Sequence, residues 1–138
     1  MKKVVVCTGV LIFCGLLAAC SGGGSAVSTS IKVTMTDFQF TPNSFTVPAG
    51  QKINFTAANN GGVEHSFVIM KLGYQVNANF SDQDKKNVYW EQTSIPVGQT
   101  VNATFTAPSE PGQYQIVCAV PGHIEAGMVA KLTVVKAK

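Results

Sequence analysis

Cys118-Ala-Val-Pro-Gly-His123-Ile-Glu-Ala-Gly-Met128 carries a thiol, an imidazole and a thioether at equal five-residue intervals, on a stretch broken by Pro121-Gly122 and Gly127. Soft sulfur together with imidazole suits copper, and two His, one Cys and a weak axial Met describe an electron-transfer copper site. The stretch offers three of those four donors. The fourth has to come from elsewhere, and His65 is the only other histidine in the chain. Each residue alone has a blander reading: a free Cys behaves as a small hydrophobe and Met is usually packing. Their joint placement is what points to a metal.

On either side of this stretch the chain reads as strand. Tyr114 to Cys118 leads into it and Met128 to Val135 leads out. Further upstream, Ile31, Val33 and Met35 alternate with Lys32, Thr34 and Thr36, the period of a half-buried strand. Phe38 through Val47 forms a second segment punctuated by Pro42-Asn43, and Pro48-Ala49-Gly50 turns into the strand Lys52 to Ala57. Asn59-Asn60-Gly61-Gly62 reads as a loop and His65-Ser66-Phe67-Val68-Ile69-Met70 as a buried strand with its histidine at the entrance. Lys71 to Gln99 is the least legible part: Ser81 to Tyr89 suits one or two helical turns with Ser81 as N-cap, and Thr93 to Val97 suits a short strand. The place of Trp90, the only tryptophan, stays open between core and surface. Val101, Ala103 and Phe105 alternate again. Seven or eight short strands without βαβ units predict an all-β Greek-key antiparallel sandwich, with a short helix in the 71–99 excursion.

The first thirty residues have a different character. Lys2-Lys3 precedes an apolar run from Val4 to Leu17, too short for a span of about 20 residues. Leu17-Ala18-Ala19-Cys20 resembles a bacterial lipobox, which makes 1–19 a signal peptide and Cys20 a lipidated first residue. An ordinary signal peptide or an uncleaved anchor is the alternative. Ser21 to Ser30 reads as a flexible tether spanning roughly 16–19 Å, so 20–30 forms the lipidated tether and 31–138 the domain. On this reading Cys7 and Cys14 leave with the signal and Cys20 is capped. Cys118 is then the only mature thiol, without a disulfide partner. The remaining charge, eight lysines against seven acids and no arginine, is a poor footprint for nucleic acid.

With its Phe40-Thr-Pro-Asn-Ser-Phe45-Thr-Val-Pro-Ala-Gly50 pattern, its Asn60-Gly-Gly-Val-Glu-His65-Ser-Phe segment and its terminal loop, the chain resembles the cupredoxins, the type 1 blue copper family of plastocyanin, azurin, rusticyanin and auracyanin. The match covers nearly all of Ile31 to Val135. Four residues lie in each gap of the terminal loop, as in rusticyanin and auracyanin. The resemblance implies one copper ion held by His65, Cys118 and His123, with Met128 as the long axial ligand. The backbone N–H groups of Ser66 and Val120 are candidate donors to the Cys118 sulfur. Val120, Pro121, Ile124 and Ala126 would surround an exposed His123 edge as a docking face for redox proteins, flanked by Glu64 and Glu125.

The function this implies is a monomeric, extracytoplasmic electron carrier, anchored to a bacterial membrane through lipid on Cys20 and without a small-molecule substrate. A copper buffer or chaperone is the alternative. A metal-free adhesive sandwich would leave the loop unexplained. An enzyme is disfavoured by counting, because catalytic copper centres need more histidines than the two present.

Overall fold

The computed structural model describes residues 26–137. Along them the strands are β1 (Ser30–Thr36), β2 (Gln39–Thr41), β3 (Ser44–Pro48), β4 (Lys52–Asn59) and β5 (His65–Met70). After the one-turn helix α1 (Asp82–Lys85) come β6 (Val88–Ile95), β7 (Thr100–Thr106), β8 (Gly112–Val117) and β9 (Val129–Val135). They form two sheets, ordered β2-β1-β4-β7 and β3-β9-β8-β5-β6. The alternation seen in the sequence sets the inward faces. Ile31, Val33 and Met35 of β1, and Ile53, Phe55 and Ala57 of β4, meet Phe67, Ile69, Ile116, Leu132 and Val134 from the other sheet in one apolar cluster.

The all-β sandwich agrees with the sequence reading, with three differences. The described residues hold nine strands rather than seven or eight, because the segment around Pro42-Asn43 divides. Pro42 has no N–H to donate to a ladder, so β2 ends there against β1 and β3 crosses to pair with β9. The sandwich is not antiparallel throughout: β1 runs parallel to β4 and β3 parallel to β9, since parallel neighbours need a crossover and this early crossing supplies it. In place of a strand over 93–97, β6 already begins at Val88. Trp90 on β6 stacks on Phe105 (centroids 4.5 Å apart, planes 19° apart) and meets Phe55 edge-on at 5.1 Å. It closes the seam where the edge strands β6 and β7 face one another.

Residues 26–30, read from the sequence as the end of the tether, lie against the domain: Ser28 N donates to Thr46 O and Asn54 N to Thr29 O. The signal peptide and Cys20 lie outside the described residues.

Every residue of β5 is buried, because both of its faces are covered. Phe67 and Ile69 face the main core, while Val68 and Met70 join Val76, Val117 and Ile124 in a second cluster beneath residues 71–88. The excursion is therefore a cover. Gln115 pins it to β8, accepting from Val76 N at 2.7 Å and donating to Val76 O at 2.9 Å.

The helical turn of the excursion begins at Ser81, as expected, around a buried acid. Asp84 accepts from Ser81 N (2.7 Å), Ser81 Oγ (2.6 Å) and Tyr74 Oη (2.6 Å). The Ser81 hydroxyl first, then Tyr74 and the Ser81 amide, hold the Asp84 carboxyl below its ordinary value against the opposing effect of burial. A depressed folded-state pKa contributes stability that is present above the unfolded value of about 3.9 and lost as pH falls through the folded value. Asp84→Asn is expected to cost about 1.5–3 kcal/mol at pH 7, the range for hydrogen bonds to a charged group, and less below pH 3. Urea midpoints at the two pH values check this. An equal loss at both would show that the charge contributes nothing.

Candidate metal centre

The loop between β8 and β9 is held by its own backbone. Cys118 N donates to Met128 O at 3.2 Å, His123 N to Val120 O at 3.1 Å, and Met128 N to His123 O at 2.9 Å. Pro121 and Gly122 are the central residues of the turn Val120–His123. Gly122 has φ +83°, the left-handed value that the third position of a type II turn requires. Gly127, at φ +94°, turns the chain again just before Met128. Asn79, from the covering excursion, buttresses the loop from outside: its Oδ1 accepts from Gly122 N and its Nδ2 donates to Glu125 Oε1.

His65 reaches this loop through strand pairing. β5 lies beside β8 in register Val68↔Val117, so the entrance of β5 falls opposite the start of the loop. Asn59 shapes the approach. Fully buried, it donates from Nδ2 to Val63 O and Ile95 O (2.8 Å each), and its Oδ1 accepts from Gly61 N. The resulting cluster joins His65, Cys118 and His123, all buried. His65 Nδ1 lies 3.2 Å from His123 Nδ1 and 4.0 Å from Cys118 Sγ, and His123 Nδ1 lies 3.3 Å from Sγ. Met128 is fully buried in the same core cluster as Cys118.

The Ser66 amide donates to Sγ at 3.3 Å, and the Ser66 hydroxyl lies 3.7 Å from Sγ. The hydroxyl oxygen also accepts from Ala119 N at 2.8 Å. Val120, the other expected donor, makes no such bond, and its carbonyl closes the turn to His123. The expected docking residues also divide. Pro121 and Ala126 are exposed and Val120 is half-buried. Ile124 instead turns inward to Val68 and Val76, because the covering excursion gives it an apolar pocket. His123 keeps only 6% of its surface open, since Phe38 packs edge-on against it at 4.7 Å. Burial, and after it the neighbouring His65, push the His123 imidazole below its ordinary value, toward the neutral form that a metal ligand must have.

Sequence reasoning missed Asp37, Phe38, Asn59 and Asn79. Asn59 ends the inward face of β4 as a polar residue after Ile53, Phe55 and Ala57, and Asp37, Phe38 and Asn79 lie between strands, where no period marks them. Asp37 was discoverable only by asking which group satisfies the second nitrogen of a buried metal-ligand histidine.

The donors fit a metal. With bond lengths of about 2.0–2.3 Å, as for imidazole and thiolate on zinc, three donors in a plane around one ion stand roughly 3.5–3.8 Å apart. The observed 3.2, 3.3 and 4.0 Å bracket that range. A thiol and two imidazoles away from water, with a thioether in the same core, form a donor set that selects copper among common metals.

The profile described as "Copper binding proteins, plastocyanin/azurin family" matches residues 27–135. The chain belongs to this family, the cupredoxins, and its cofactor is one copper ion. It is 32% identical over 134 residues to auracyanin-A of Chloroflexus aurantiacus, covering 78% of this chain and 82% of that protein. It is 31% identical over 119 residues to the copper-resistant cuproprotein CopI of Rubrivivax gelatinosus, covering 82% of this chain and 70% of that protein. The crystal structure of dithionite-reduced auracyanin from Roseiflexus castenholzii superposes with a TM-score of 0.68 at 29% identity, over 80% of this chain and 99% of that one.

Proposed function

We propose that His65, Cys118 and His123 hold the copper, with Met128 as the axial donor, and that the protein carries single electrons between redox partners outside the cytoplasm. Buried donors brought together from β5 and a backbone-locked loop support this reading most directly. The bound ion supplies two oxidation states one electron apart. The protein keeps its donors in nearly one arrangement for both, excludes water, and directs the Ser66 amide at the thiolate, where a donor tunes the potential.

Partners would approach where Phe38, Pro121 and Ala126 are exposed near His123. An open groove of about 600 Å³ reaches Pro121 and is lined by Glu64, Lys85, Glu91, Ala119 and Val120 among others, so two acids and one lysine would face a partner there. Lipid on Cys20 would keep the domain at a bacterial membrane. Cys20→Ser would then release it into the soluble fraction and abolish fatty-acid labelling, and retention of both would refute the anchor.

Copper-loaded protein is expected to show an intense visible band and small copper hyperfine coupling in electron spin resonance, with reversible one-electron reduction. A weak band with ordinary coupling would refute the carrier reading. The name of the CopI relative favours a second reading, a copper buffer. That reading gains if reduction is irreversible while deletion of the gene lowers copper tolerance.

A further inference from the structure

The β1–β2 turn covers both imidazoles of the centre: Phe38 lies on His123 and Asp37 on His65. The aspartate contact is built with some care. Asp37 Oδ1 lies 3.0 Å from His65 Nε2, and Oδ2 accepts from Gly62 N at 2.8 Å. Each carboxylate oxygen therefore has its own partner. Gly61, held by Asn59, passes so close that a Cβ there would fall on Asp37 Oδ1 and within 2.9 Å of His65 Nε2. The close approach, rather than a bend, explains the glycine. Asp37 sits between strands of one sheet and His65 on the other, so the contact also ties the sheets together at the metal end.

An ionised carboxylate can only accept a hydrogen bond. A carboxylate facing Nε2 calls for an N–H there, and a ring with its one proton on Nε2 has its Nδ1 lone pair on the side of Cys118 Sγ and His123 Nδ1. Such an outer partner fixes the tautomer and orientation of a metal-bound histidine and raises its basicity. The negative charge is also worth more to the oxidised centre, which carries one more positive charge, than to the reduced one. We propose that Asp37 is a positioning residue for His65, fixing its Nε2–H tautomer and lowering the reduction potential of the copper. This rests on the reading of His65 as a ligand.

Four proteins test it: wild type, Asp37→Asn, Asp37→Ala and His65→Ala. Asn keeps an acceptor oxygen and removes the charge, whereas Ala removes both. In the metal-free proteins, nitrogen NMR of His65 is expected to show the Nε2–H tautomer in wild type and Asp37→Asn, and a mixture in Asp37→Ala. On copper titration, Asp37→Ala is expected to bind 10–100-fold more weakly, the usual loss for such partners, and Asp37→Asn by less. Spectroelectrochemistry of the copper-loaded Asp37→Asn protein is expected to give a higher potential than wild type. A merely structural role would lower the melting temperature without moving the potential. If His65→Ala weakens copper binding but the Asp37 variants match wild type in tautomer and potential, the proposal is overturned and the ligand assignment stands. If His65→Ala leaves copper binding unchanged, the ligand assignment fails and the proposal falls with it. Should Asp37→Ala fail to fold, the Asp37→Asn potential decides alone.

Discussion

Cys118→Ser is expected to abolish the intense visible band of the copper-loaded protein and to weaken copper binding by more than roughly 100-fold, beyond what loss of an outer partner costs. The argument starts from chemistry. A thiolate is a soft, strongly covalent donor, whereas a serine hydroxyl stays protonated and is a hard one. No neighbour can replace it, because Cys118 is fully buried and is the only cysteine among the described residues. The variant is expected to fold, since the Ser66 amide that donates to Sγ can donate to a hydroxyl in its place. Residual copper would rest on the histidines, with wide hyperfine coupling and little colour. Absorption titration followed by electron spin resonance reads both quantities. A surviving intense band would remove Cys118 from the centre.

Phe67→Ala is expected to give the largest loss of stability. Phe67 is fully buried in the middle of β5, with the rings of Phe55, Phe40 and Phe45 around it at 4.9, 5.4 and 6.0 Å. Those three rings come from β4, β2 and β3, so truncation opens a cavity bordered by both sheets. Phe→Ala in a packed core costs about 3–5 kcal/mol. At roughly 4 °C or more per kcal/mol for a domain of this size, the melting temperature should fall by about 12 °C or more. Urea unfolding of the metal-free protein measures the cost without copper's contribution to the native state. A loss below about 1 kcal/mol would mean that the cavity collapses, and that the ring cluster is not the centre of the core.

The features legible in the sequence were those with a period or a fixed spacing. Alternation in Ile31–Met35 and Val101–Phe105 identified strands and their inward faces, and the five-residue intervals of Cys118, His123 and Met128 marked the metal loop. Alternation says which side of a strand is buried but not which way its neighbour runs, so the parallel pairs β1/β4 and β3/β9 were invisible. Residues 71–88 cover a sheet through scattered side chains such as Val76 and Phe80, which leave no period. Ile124 looked like a surface residue because its polar and small neighbours gave no sign of the pocket that the same excursion builds. Asp37 was hidden for a related reason: it meets His65 only because the β1–β2 turn of one sheet reaches the first residue of β5 in the other.

The placement of β9 bears on the order of events at the ribosome. This strand lies between β3 and β8, and pairs Ser44 with Lys131 across most of the domain's length. Until residues 129–135 have left the exit tunnel, β3 has no partner in its own sheet and the loop has nothing to close against. Pairing across so large a separation is slow. Copper uptake therefore waits for residues 129–135, in whatever compartment they first complete the second sheet.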